Sequence, residues 1–553
     1  MKIKILNTIF LFILASIVFG QNYTEILGKP TNSSITINIL LDQKADVYWE
    51  YGTTSGSYPF TSATFTSKID TPLVAEFTNL LSNTKYYYRT RYRVNGSSSA
   101  FSTGQEHTFQ TQRASGSTFS FAIEADPHLD TNTIPASYTL TLQNILAKKP
   151  DFMIDLGDIF MSEKLPLINQ AEITNRHLLY RPFFNEVCHS VPLYLVLGNH
   201  EGELGWRITG QANSLPVMAT NTRKFYYPNP EPNSFYSGDT IEENMVGLRQ
   251  DYYAWEWGDA LFIVLDPYWH TVTKPDWGWT LGETQYNWFK STITSSQAKF
   301  KFVFCHNLVG GKGNDARGGA EYVDFFEMGG QNADSTFGFD TYRPNWGKSI
   351  HQLMVENNAT IFFHGHDHLY AKQEKDGLVY QEVPQPSAKS IGNVTGAQWG
   401  YVDGVLMSNR GYILVTVNND STRVEYIKTY LPSEENATRH NGDIAHSYTI
   451  SNLTTDVNDE KTNKPSFQIE QNYPNPFYSE TTIRYKLFSS NNVQLSIYDI
   501  YGSEVYSPID KFQEPGNYST TINSEELNLK SGFYYCKIHV GNNSSNMKMI
   551  FIK

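Results

Sequence analysis

The sequence predicts an α/β chain: a central domain of sheets buried between helices, with a smaller β-sandwich on either side. Three observations predict it. From Thr118 onward, nearly continuous apolar runs ("TFSFAIEA", "DFMIDLG", "PLYLVLG", "LFIVLD", "KFKFVFC", "TIFFHG") alternate with helical stretches ("SYTLTLQNILAKK", "QYNWFKSTI"), the pattern of sheets covered on both faces. Before that point the runs are short, alternate in polarity and are divided by turn residues, which predicts an antiparallel sandwich. Beyond about Ser466 short strands return. A chain of 553 residues is too long for one core and allows about three or four domains.

Taken in order, residues 1–20 ("MKIKILNTIFLFILASIVFG") place Lys2 and Lys4 before an apolar stretch and end in small residues, which predicts a secretory signal peptide cleaved after Gly20. Residues 21–113 hold the runs "SITINILL", "ADVYWEYG", "LVAEFTNL", "KYYYRTRYRV" and "EHTFQTQ". Within them "LLSNTKYYYRTRY" resembles the tyrosine-corner stretch of fibronectin type III domains, with Leu80, Thr84 and Tyr86 in the matching places and Ser82 where the family has proline. "QRASGST" then links to the α/β domain, 118–431. The polar stretch 432–465 predicts a second linker, and 466–553 forms the last domain. Cys188, Cys305 and Cys536 are odd in number, and the last two sit in apolar runs; they predict buried small hydrophobes rather than a disulfide framework. The formal charge of −13 becomes more negative once the two leader lysines are gone, which argues against binding nucleic acid through its phosphates.

The chemistry-bearing residues stand just past the apolar strands. "FAIEADPHLD" supplies Asp126 and His128, "MIDLGDIF" Asp158, "LVLGNHEG" Asn199, His200 and Glu201, "FVFCHN" His306, and "FFHGHDH" His366 and His368. In α/β folds the carboxyl ends of strands converge on one edge, where sites form. On an extended backbone His366 and His368 point the same way. Carboxylate, imidazole and amide ligands without thiolate suit zinc, manganese, iron or similar ions. One carboxylate shared by two such ions holds them roughly 3.5–4 Å apart, the spacing used in two-metal phosphoester cleavage. A hydroxide between them is a nucleophile at neutral pH, and a histidine that is not a ligand can protonate the leaving group.

The order Asp-x-His, Gly-Asp, Gly-Asn-His-Glu, lone His, Gly-His-x-His resembles the calcineurin-like metallophosphoesterase superfamily over most of residues 118–370. The resemblance implies a four-layer α-β-β-α sandwich holding two divalent or trivalent ions (iron, zinc, manganese or similar). Asp126, His128 and His368 would hold one; Asn199, His306 and His366 the other; Asp158 would bridge. His200 would be the acid or transition-state donor, with Glu201 orienting or charge-supporting it. His364 matches no ligand position and stands behind the site. The N-terminal sandwich and "YYAWEWGDALFIVLD" resemble the layout of purple acid phosphatases. Those enzymes have Asp-x-Gly in the first motif and a tyrosine ligand three residues after the bridging aspartate; here the places are taken by His128 and Met161, so a ferric tyrosinate is not implied. "GDIFMSE" lacks the arginine of serine/threonine protein phosphatases.

Other features carry less. Trp269, Trp277 and Trp279 could wall a substrate pocket or pack beneath an insertion. "GGKGNDARGGA" lacks the end of a phosphate-binding P-loop and predicts a loop near the site; Arg317 in it, and Arg207 after "GNHEGELGW", are candidate substrate contacts. Residues 466–553, with "NYPNPF" at Asn472–Phe477, "VQLSIYDIYGSEV", "LKSGFYYCKIHV" and the closing "KMIFIK", resemble the type A sorting domain of type IX secretion. Export through the periplasm of a Gram-negative envelope, then secretion or surface attachment, is implied, with the secretion machinery as partner. The expectation is a secreted phosphoesterase with phosphomonoesters favoured. A phosphodiesterase or nucleotide-cleaving enzyme is the alternative, and a non-catalytic surface binding protein a distant third.

Overall fold

The computed structural model describes residues 23–452 apart from 393 and 395, and 467–553 apart from 470, 500–502, 526–528, 542 and the side chain of 543. The expected signal peptide lies outside the described residues. The chain divides into two compact units, the first extending to Leu453 and the second from Thr454.

Two sheets form the centre of the first unit. In one, the parallel strands Phe119–Glu124, Phe152–Asp155 and Leu193–Leu195 lie side by side, and Gly411–Val417 pairs antiparallel with the first. In the other, Ala260–Val264, Phe300–Phe304, Ile361–His364 and Leu378–Glu382 run parallel. Strand periodicity sends alternate residues to opposite faces. Phe300, Phe302 and Phe304, with Phe262 on the neighbouring strand, therefore face the opposite sheet and share its core with Phe121 and Phe152, while Val303 and Cys305 face outward. Helices Glu283–Ser295 and Ile350–Glu356 cover that outer face through Tyr286, Phe289, Ile350 and Leu353. Helices Pro135–Lys148 and Gln170–Cys188 cover the other sheet through Tyr138, Leu142, Tyr180 and Phe184. This is the four-layer α-β-β-α sandwich. Cys188, Cys305 and Cys536 are buried and unpaired.

The structure departs from the expected division at residue 113. Tyr23–Gly28 pairs parallel with Leu193–Leu195 through Gly28 and Leu193, so three N-terminal strands extend the first central sheet. Arg181 of helix Gln170–Cys188 donates to Thr24 Oγ1 and Asn38 Oδ1, both at 2.9 Å, and Arg113 forks onto Asp151 at 2.7 and 2.9 Å. The buried Arg181 and the partly covered Arg113, both hydrogen-bonded, tie the sandwich to the α/β core. The sandwich keeps its own interior of Ile35, Ile37, Trp49, Phe77 and Tyr88, and the Tyr86 hydroxyl accepts from Leu81 N at 2.8 Å. The linker 432–465 is also shorter than expected. Ile444–Ser451 is an edge strand on Ser421–Lys428, hidden in the sequence because only one face is even partly covered; residues 453–466 lie outside the described set.

The second unit is two antiparallel sheets, one of Phe467–Ile469, Glu480–Leu487 and Gly516–Asn523, the other of Asn491–Tyr498, Glu504–Gln513, Gly532–Val540 and Asn543–Phe551. Ile483, Tyr485, Val493, Leu495, Cys536 and Ile538 fill the space between them.

Candidate metal centre

The carboxyl ends of the central strands deliver the expected residues to one place. Asp126, His128 and His368 form one group of possible ligand atoms, and Asp158, His306 and His366 another, each with its atoms within 4.8 Å of one another. Asp158 Oδ2 faces both, at 3.7 Å from His128 Nε2 and 3.1 Å from His306 Nε2. Asp126 Oδ1 lies 3.6 Å from His128 Nε2 and 3.4 Å from His368 Nε2. Four atoms of these residues are buried without a hydrogen-bond partner, Asp126 Oδ1, His128 Nε2, His306 Nε2 and His366 Nδ1, and so is Oδ1 of Asn199, the residue beside His200. Leaving so many buried polar atoms unpaired is costly, and a cation is the group that satisfies all five. The donor set fits.

The backbone is bent to make this arrangement. Asp126, His128, Asp158, His366 and His368 all have positive φ, between 50° and 80°, a conformation that costs a non-glycine residue of order 1 kcal/mol and clusters at functional sites. Cross-braces hold it. His366 N donates to Asp126 Oδ2 at 2.9 Å, His200 N to Asp158 Oδ1 at 2.7 Å and Asp126 N to Gly157 O at 2.9 Å. The motif glycines allow the loops to touch. A Cβ on Gly157, whose φ is +100°, would stand 2.4 Å from Gly198 N, and one on Gly198 would stand 2.4 Å from Asp158 N. Gly157→Ala is therefore expected to lower stability by about 2 kcal/mol or more and to weaken metal retention, read as a fall in Tm and in bound metal per chain; an unchanged Tm would contradict this packing.

The electrostatics keep the carboxylates ionised, and against burial those carboxylates raise His128 and push His306 up to about 9, so a bound cation would take the place of protons on these two imidazoles. Burial works against ionisation of Asp126, yet His368 and His306 outweigh it and hold the carboxyl far below its usual range; His200 and His306 do the same for Asp158. Burial, helped by His306 and Arg317, pushes His366 down and keeps it a neutral imidazole, the ligand form. His306 Nδ1 meets Leu156 O at 2.8 Å, which fixes the ring and turns Nε2 toward the centre.

Two expectations are revised, for Glu201 and for Arg317. Glu201 does not touch the His200 side chain: its buried carboxylate accepts from Asp158 N at 3.0 Å, Ile159 N at 2.6 Å and Phe160 N at 3.2 Å, and from Gly198 N. It braces the turn that carries Asp158. The partner of His200 is Glu163, 2.7 Å from Nδ1. Against the effect of burial, His200 and Lys164 pull the Glu163 carboxyl down to about 2. Glu163 escaped the sequence reading because Met161 takes a positive φ and the short helical turn Ser162–Lys164 swings it back. Arg317 supports the loop beneath the site, donating through Nη1 to His366 O at 3.0 Å and Asp367 Oδ1 at 2.9 Å. Arg207 reaches Glu163 at 3.6 Å. Among the three tryptophans, Trp269 and Trp279 are buried and Trp277 stacks on Tyr342, so packing explains them. His364 pairs with Glu382 at 2.6 Å, behind the ligands.

Residues 119–370 match the profile of the calcineurin-like phosphoesterases. The chain carries a calcineurin-like phosphoesterase domain. That assigns it to the metal-dependent phosphoric ester hydrolases. Residues 471–553 match the secretion system C-terminal sorting domain, which marks the phosphoesterase for export by type IX secretion, to the cell surface or beyond. Among solved structures, PhoD is similar with a TM-score of 0.56 at 15% identity, over 78% of this chain and 90% of its own. Purple acid phosphatase PPD1 from yellow lupin (Lupinus luteus) seeds has a TM-score of 0.51 at 15% identity, over 77% of this chain and 74% of its own. At that identity the likeness is one of fold. No curated protein is significantly similar to the phosphoesterase in sequence.

Proposed function

We propose that this is an exported dinuclear phosphoesterase that hydrolyses phosphate monoesters. The observation that carries the reading is Asp158, whose Oδ2 faces ligand atoms of both clusters. Asp126, His128 and His368 would hold one ion, and Asn199, His306 and His366 the other, with Asp158 available to both. When bound, such ions supply the nucleophile at neutral pH and neutralise charge on the phosphoryl oxygens. The chain's own residues do the rest. His200 donates the proton that the departing alkoxide needs, with Glu163 on Nδ1 fixing the ring so that Nε2, 3.7 Å from Asp158 Oδ2, faces the substrate. Glu201 and the facing glycines keep the two ligand loops in register. Met161 stands where a purple acid phosphatase has its tyrosine, so metal identity is open to zinc, manganese or iron and no tyrosinate colour is expected.

The flanking regions complete the reading. Residues 21–113 are a fibronectin type III-like module, supported by the Tyr86 hydroxyl on Leu81 N. Residues 466–553 are the exported sorting domain. The test of substrate class uses the full chain, metal-loaded, on a phosphomonoester and a phosphodiester with the same leaving group. Faster cleavage of the monoester is expected; faster cleavage of the diester would move the enzyme to the phosphodiesterases.

A further inference from the structure

Two cations flank the second metal cluster, and the protein leaves their donors unused. Arg207, its side chain 40% exposed, meets Glu163 Oε2 at 3.6 Å; Glu163 in turn holds His200. Lys274, its side chain 24% exposed, meets Asp315 Oδ1 at 3.8 Å; the carbonyl of Asp315 lies 2.7 Å from His366 Nε2. Among the described residues neither guanidinium nor ammonium has a hydrogen bond to protein, since both ion pairs are too long to be one. Arg317 differs, with its Nη1 taken by His366 O and Asp367.

Lys274 is also held still. Its ammonium lies 4.4 Å from the centre of the Trp206 ring and 5.2 Å from that of Trp279, and Trp206 packs edge-on against Trp279 at 5.7 Å. A lysine mostly withdrawn from water, fixed by two indoles and met only by a carboxylate at 3.8 Å, keeps hydrogen-bond donors that an added anion can take. Each cation is one residue removed from the centre, Arg207 through Glu163 to His200 and Lys274 through Asp315 to His366. They are placed to meet a group farther out than the phosphoryl oxygens that the ions and His200 engage.

We infer that Arg207 and Lys274 form a subsite for a second anionic group on the alcohol part of the substrate. The preferred esters are then phosphomonoesters whose leaving group carries a phosphate or a carboxylate. This rests on the phosphomonoesterase reading above.

Glycerol 3-phosphate and 3-phosphoglycerate test it, being phosphate monoesters of nearly equal size that differ in a terminal hydroxymethyl group against a carboxylate. The metal-loaded full chain should favour 3-phosphoglycerate by about tenfold or more in kcat/KM, one well-placed charge contact being worth that much. Lys274→Gln and Arg207→Gln should each lower that ratio by about threefold or more, chiefly through KM for the acid, and added salt should erode it. A ratio near one in the unaltered chain would overturn the inference and leave the parent reading intact. So would equal losses on both esters in the variants, which would put the cations on the transferred phosphoryl group instead. Failure of the metal-loaded chain to cleave either ester would overturn the parent reading, and the subsite with it.

Discussion

Asp158→Asn is expected to lose at least one metal ion per chain and to lower phosphoesterase activity by about 10³-fold or more, several kcal/mol of transition-state stabilisation being at stake. The carboxylate is buried, and its two oxygens have separate tasks: Oδ1 accepts from His200 N at 2.7 Å, while Oδ2 faces His128, His306 and His200. An amide keeps one acceptor oxygen and replaces the other with a donor. It cannot serve two cations and the His200 backbone at once. The change is nearly isosteric, and the turn remains braced by Glu201, so the fold should persist. Elemental analysis beside circular dichroism and kcat separates the cases. A folded variant with a full metal complement and ordinary kcat would remove Asp158 from the centre.

His200→Asn is expected to lower kcat by about 10²- to 10⁴-fold on alkyl phosphates, the usual range for a lost general acid. The loss should be much smaller on an ester with a 4-nitrophenolate leaving group, which departs without a proton. Metal content should hold, because His200 belongs to neither ligand cluster. Glu163→Gln should show the same leaving-group dependence in weaker form, about tenfold or more, as expected when the partner that orients an active imidazole is changed. Equal losses on both leaving groups would mean that His200 stabilises the phosphoryl group rather than donating a proton.

Much of the fold was legible because parallel strands buried on both faces must be largely apolar; "TIFFHG" and, despite Lys301, "KFKFVFC" fit nothing else so well. The ligand types were legible for a related reason, since polar residues directly after such strands have little purpose except at a site. Helix Gln170–Cys188 is hidden in the sequence, because Pro182 and several charged residues break its apolar pattern. The continuity of the N-terminal strands with the central sheet depends on the single Gly28–Leu193 register pair, which no local pattern announces. The exchange of Glu201 for Glu163 at the imidazole was hidden too. Adjacency in "GNHEG" suggested a partner, but neighbouring residues in a tight turn point apart. Glu201 folds back onto the amides of 158–160, and a residue 37 positions earlier reaches His200 instead. Lys274 was invisible for the same reason, because its place at the site follows from how Trp206 and Trp279 pack around it.

The central claim is that two ions share one carboxylate. Anomalous diffraction from crystals of the metal-loaded full chain tests it most directly. Two peaks are predicted, one against Asp126, His128 and His368, the other against Asn199, His306 and His366, with Asp158 between them. A single peak, or a second ion that leaves Asp158 untouched, would contradict the account.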